Sequence, residues 1–99
     1  MDILGIALSG MQSAETRIAV SAHNVANLLT DDFRPQRAEQ VSLASGGSRA
    51  RVRQTDEVKP VQLEREVVDQ ILAKTQYTAS ARVFSVGAEL SGTLLDVLA

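Results

Sequence analysis

The chain contains no cysteine and no tryptophan, so neither a disulfide framework nor a thiolate metal site can staple its fold. Its three aromatic residues, Phe33, Tyr77 and Phe84, are too few to stack bases or to line a small-molecule pocket. With a net charge of -2 there is no basic field for a polyanion, and nucleic acid is not expected as a partner. Long apolar runs are missing too. Asp2, Glu15 and Arg17 interrupt the first apolar region and Glu89 and Asp96 the last, short of the roughly 18 residues a membrane span needs. Direct membrane insertion is therefore not expected. No basic segment precedes Ile3-Leu4 and no cleavage-site pattern follows, which argues against a cleaved secretory signal and leaves cytoplasmic residence and signal-less export both open.

Proline is nearly absent as well, occurring only as Pro35 and Pro60, and the two frame a middle segment. The chain thus divides into residues 1–30, 31–60 and 61–99, which together form one structural unit. A unit of 99 residues buries only about 60% of its unfolded surface, so additional stability is expected from partners.

What is present is helical periodicity at both ends. Leu4, Met11, Ile18 and Val25 recur every seven residues, with Ala7, Ala14, Ser21 and Leu28 three residues after each, which is an a/d heptad seam. In the last segment Val68, Leu72, Thr75, Ala79, Val83, Val86, Leu90, Leu94 and Val97 step by four and three in an 11-residue repeat, the period of a nearly straight helix. A second row, Leu63, Val67, Ile71, Ala81, Phe84, Leu95 and Leu98, widens the apolar surface beyond one seam. The two periods do not match, and more than two helices are expected to share the core. The pairing expected is Leu4, Met11, Ile18 and Val25 against Val68, Leu72, Val83, Val86, Leu90 and Leu94, within one subunit or between subunits.

Between the helices, Gln40-Val41-Ser42-Leu43 and Ala50-Arg51-Val52-Arg53 alternate around Ser45-Gly46-Gly47-Ser48, the pattern of a short β-hairpin or extended arm. A lone hairpin is marginal in water and should lean on a helix or on another subunit. The fold class expected is mostly α: two long terminal helices in an antiparallel coiled-coil hairpin or a multi-helix assembly, joined by this linker.

Charged and polar clusters read mainly as surface. Arg49, Arg51 and Arg53 share one strand face, which suits a solvated face or a subunit salt bridge. His23 has no second histidine with which to hold a metal, and it lacks the oriented partner that acid–base catalysis needs. Glu64, Glu66 and Asp69 open the last helix, where its dipole favours acidic residues. No convergent set of polar groups suggests catalysis, and neither a metal nor a cofactor is expected.

The run Ala22 to Arg34 is more specific. Asn24 and Asn27 lie three apart near a helix end, where their amides can bond backbone groups left unpaired there. Expected with them are a backbone bond to residues 30–34, Phe33 folded over the apolar terminus, and a positive φ at Asp32. This run resembles the amino-terminal signature of flagellar axial proteins, the rod, hook and hook-associated family, which reads approximately A-N-N-I-A-N-x-x-T-x-G-[FY]-[KR]. Ala22, Asn24, Ala26, Asn27, Thr30, Phe33 and Arg34 match, and Val25 replaces isoleucine. Ala7-Leu8-Ser9-Gly10-Met11 is similar to the family's opening. Val61, Leu63, Glu66, Val67, Val68, Ile71, Tyr77, Ala79 and Ala81, with Leu94-Leu95, resemble the terminal helix of proximal-rod proteins.

His23 stands where the family usually has asparagine and Asp32 where it usually has glycine. The linker lacks much of what rod proteins place there, including the stretches ending in Gly-Tyr-Val and Pro-Asn-Val. The resemblance implies a self-assembling structural component of the bacterial flagellar basal-body rod, or of a rod-like axial structure. Such a protein is cytoplasmic before type III export, leaves without a cleaved signal, and in the periplasmic rod packs against copies of itself and other axial or export proteins. The shortened linker motivates one alternative, a non-polymerising module that docks on a rod or export component.

Overall fold

The computed structural model describes residues 3–98. In chain order these form α1 (Ile3–Ala26), β1 (Gln36–Ser42), β2 (Ser48–Gln54) and α2 (Leu63–Leu98). The fold is mostly helical: two antiparallel helices joined by a two-stranded antiparallel β-hairpin, as the sequence pattern led us to expect. The molecule is a rod of 63 × 24 × 14 Å.

α1 ends where its side chains and backbone turn back on themselves. The Asn27 N–H is shared between the carbonyls of His23 and Asn24, Thr30 N–H bonds Asn27 C=O, and Asp32 takes φ 56°. Pro35 then holds the chain extended into β1. The hairpin closes through Gly46 and Gly47, both at positive φ (93° and 84°), a conformation that glycine adopts without strain. In register, Glu39 opposes Arg51 and Val41 opposes Arg49. The strands run longer than their alternating cores, reaching back to Gln36 and on to Gln54.

As its marginal stability requires, the hairpin leans on α1. Ser9 Oγ accepts the Ser48 N–H at 3.1 Å, Ser13 and Ser48 share a hydroxyl–hydroxyl bond at 3.1 Å, and Ile6 packs beside Gly46.

The seam between the helices differs from the expected pairing. On α1 the small d residues Ala7, Ala14 and Ser21 are buried, whereas Leu4, Met11 and Val25 are half-buried and Ile18 and Leu28 lie at the exposed edge. On α2 the face toward α1 is Glu66, Ala73, Ser80 and Gly87, again seven apart. The periods therefore match, and the expected mismatch disappears, because α2 carries a heptad of small and polar residues beside its 11-residue apolar row. Side chains this small let the helices approach closely, and hydrogen bonds stitch them together. Arg17 donates to Gln76 Oε1 at 2.6 Å, Gln76 Nε2 donates to Gly10 C=O at 3.1 Å, and Ser21 Oγ donates to Glu66 C=O at 3.1 Å.

Candidate functional site

Two features stand out: a polar node where the helices meet the linker, and an unpartnered face of α2. The node begins at Asn24, which is fully buried in the last turn of α1. Its Oδ1 accepts the Gln36 N–H and its Nδ2 donates to the Gln36 C=O, both at 2.9 Å, so the side chain acts as a strand neighbour for the first residue of β1. The same Nδ2 lies 3.1 Å from Glu66 Oε1, and Arg37 reaches that oxygen at 3.2 Å. Glu66 is 1% exposed, so its charge is held by Arg37 and Asn24 away from water. A buried charge is tolerated only when paired in this way. The node ties α1, the linker and α2 together at one point.

The cleft beside the node holds about 140 Å³ and is lined by charged and polar groups including Arg17, Arg65 and Asp69. Small-molecule sites start at roughly 300 Å³, so this cleft has room for a few waters.

The other turn residues divide the work. Asn27 Nδ2 donates to the His23 carbonyl at 2.9 Å, and its Oδ1 accepts from the Thr30 hydroxyl at 3.1 Å. Asp32 is the one non-glycine residue at positive φ among the described residues. Phe33 packs against His23, with ring centroids 5.6 Å apart at a 51° tilt. Two expectations need correction here. The backbone partner of Asn24 is Gln36, beyond residues 30–34, because the loop makes its tight turn first and only then returns past the helix. And Glu66 is not an ordinary dipole partner of a first helical turn, since its carboxylate points inward to Arg37.

The face of α2 that carries the 11-residue row is open. Val68, Leu72, Val83, Val86, Leu90 and Leu94 are 43–63% exposed, and within the chain none of them is buried against α1 as the sequence pattern had suggested. Ile18 approaches α2 only at its edge, beside Val67 and Ile71. An open groove of about 500 Å³ runs along Val83, Val86, Leu90 and Leu94, with Ile3 on its rim. Ile3 lies level with Gly87, so residues 88–98 of α2 extend about 16 Å past the start of α1. A Cβ added at Gly92 would meet nothing within 4 Å beyond its own helix backbone.

Ala7, Ala14, Val20, Pro35 and Ala73 are the buried apolar side chains among the described residues, so the largest hydrophobic residues lie outside the core.

The three arginines of β2 are exposed, and Arg53 pairs with Glu39 at 2.7 Å, a surface bridge that contributes little. The hydrophobic pattern could not reveal Arg37 or Gln36 as members of the node, nor Ala73, Ser80 and Gly87 as the inner seam. Comparison of the chain with known protein families and with curated proteins finds no match.

Proposed function

We propose that this chain is a non-catalytic, self-associating structural subunit of the flagellar axial kind, a component of the basal-body rod or of a rod-like structure. The observation that carries the reading is the α2 face, a row of valines and leucines left in water along most of a 36-residue helix. Covering such a row gains about 25 cal/mol per Å² before ordering costs are subtracted, and helix packing against further subunits is the means of covering it. The turn from Asn24 to Phe33 supports the same reading, because the node fixes where the linker leaves α1 and so presents the two helices as one rigid unit. Its partners are then copies of itself together with other axial or export proteins, no cofactor is required, and its working place is the periplasmic rod after export through the flagellar channel.

The test is to prepare detergent-washed basal bodies from the producing bacterium and probe them for the chain. Recovery in fixed proportion to the other rod subunits is expected. An expressed chain that never accompanies basal bodies would overturn the flagellar assignment.

A further inference from the structure

We propose that in the free protein the α2 row is covered by the same row of a second copy, running antiparallel about a two-fold axis between Phe84 and Ser85. This deepens the self-association proposed above and rests on it, but not on the flagellar setting.

The row is a palindrome. About that midpoint Leu72 opposes Val97, Thr75 opposes Leu94, Ala79 opposes Leu90, and Val83 opposes Val86. A sequence of spacings that reads the same in both directions lets one helix meet its own reversed copy with each row residue from Leu72 to Val97 facing another, Val68 lying beyond the contact. The 11-residue period keeps both helices nearly straight, so the register holds along the whole contact.

The charges beside the row follow the same symmetry to within two residues. Lys74 and Arg82 lie before the midpoint and Glu89 and Asp96 after it, all four exposed and on the same side of the helix by helical spacing, Arg82 and Glu89 nearer the row and Lys74 and Asp96 further round. Among the described residues none of the four carries an ion pair within the chain. When two helices pack antiparallel on the same row, like edges meet, and flanking charges of this kind set orientation. Lys74 then comes within one residue of the level of the partner's Asp96, and Arg82 within two residues of the level of the partner's Glu89. A parallel pair in register would instead set each charge level with its own copy and turn this edge toward the side of the partner that carries α1.

The overhang fits as well. In the antiparallel register residues 88–98, which have no α1 beside them, lie along residues 71–81 of the partner, where α2 is backed by α1. Because a two-fold interface is closed, the pair is a bounded form that keeps the row out of water until a growing assembly displaces it.

The absence of native cysteine makes the test clean. Full-length Thr75→Cys and Leu94→Cys proteins, one carrying an affinity tag, are mixed and oxidised. The antiparallel register brings Cys positions 75 and 94 of opposite copies together, while the two copies of position 75 stand about 28 Å apart along the axis. That is far beyond the roughly 7 Å Cα separation a disulfide spans. The expected result is a tagged–untagged disulfide dimer in the mixture and none from either variant alone. The pair Ala79→Cys and Leu90→Cys should repeat the pattern. Self-cross-linking of Thr75→Cys alone would show parallel packing and overturn the proposal, as would a dimer by light scattering that cross-links at neither pair. A monomer at every concentration would overturn both this proposal and the self-association beneath it. Absence from basal bodies with the expected cross-links would sink only the flagellar reading.

Discussion

Gly10 of α1 and Ser80 of α2 lie so close that a Cβ built on Gly10 would stand 2.5 Å from Ser80 Oγ and 3.3 Å from Ser80 Cβ. A hydroxyl can rotate away, but the Cβ behind it cannot move without moving the helix. Gly10→Val therefore has to part the helices, and overpacking of this sort costs about 1–3 kcal/mol. The expected outcome is a lower midpoint in thermal or denaturant unfolding followed by circular dichroism. Gly92→Ala is the matched control. With open space around Gly92 the added methyl meets nothing, and replacing a helical glycine by alanine gains about 1 kcal/mol. A Gly10→Val protein as stable as the original would show that the seam is looser than its geometry indicates.

Asn24 and Asn27 sit three residues apart, yet removing them should have very different effects. Asn24→Ala leaves both backbone groups of Gln36 and the buried carboxylate of Glu66 short of a partner. Buried groups stranded in this way cost about 1–3 kcal/mol each, so a loss of at least about 2 kcal/mol is expected. Asn27→Ala removes an exposed bond to His23 C=O and one to Thr30, and should cost no more than about 1 kcal/mol. Urea titration of the two variants side by side would decide, and equal losses would contradict this division of roles.

The same pair shows what was legible in the sequence. A signature run marked Asn24 as special, and alternation around Gly46-Gly47 marked the hairpin, since both signals are local. The partner of Asn24 was not legible. Glu66 lies 42 residues away and looks like any acidic residue that opens a helix. The inner seam escaped for a related reason. Glu66, Ala73, Ser80 and Gly87 keep a seven-residue spacing, but only one of the four is apolar, so a search by hydrophobicity passes over them. That search finds the row with the strongest apolar character, and in this chain that row faces outward. α1 showed its inner face more plainly, because Ala7, Ala14 and Ser21 flank larger apolar residues that follow the same period.

Asp32 offers a prediction about backbone conformation alone. At φ 56° a branched side chain is strained by about 1–2 kcal/mol, aspartate by less, and glycine not at all. Asp32→Val should lower stability by about that amount. Asp32→Gly should be neutral or gain up to about 1 kcal/mol, the relief of strain being partly offset by a more flexible unfolded chain. Both follow from thermal melts. A valine variant as stable as the original would mean that the loop can abandon the left-handed conformation at no cost.

Leu90→Asp separates the outer row from the inner seam. Leu90 is exposed on the chain by itself and bonds nothing in α1, so the helical hairpin has no reason to unfold when its side chain becomes charged. What changes is the outward face. Burying a leucine is worth about 1.5–3 kcal/mol, and a two-fold contact loses that amount once on each copy. Two such losses weaken association by at least about 100-fold, since each 1.4 kcal/mol is a factor of ten. Light scattering on a dilution series should therefore show a monomer where the original protein is still paired. Circular dichroism should retain most of the helix signal, with a loss confined to the overhang beyond Gly87, because those turns have no neighbour in the monomer. A variant that remains associated at the same concentrations would place the contact on another face of the molecule. One that loses nearly all its helix would mean that the inner seam of small residues cannot hold the two helices together without the outer row.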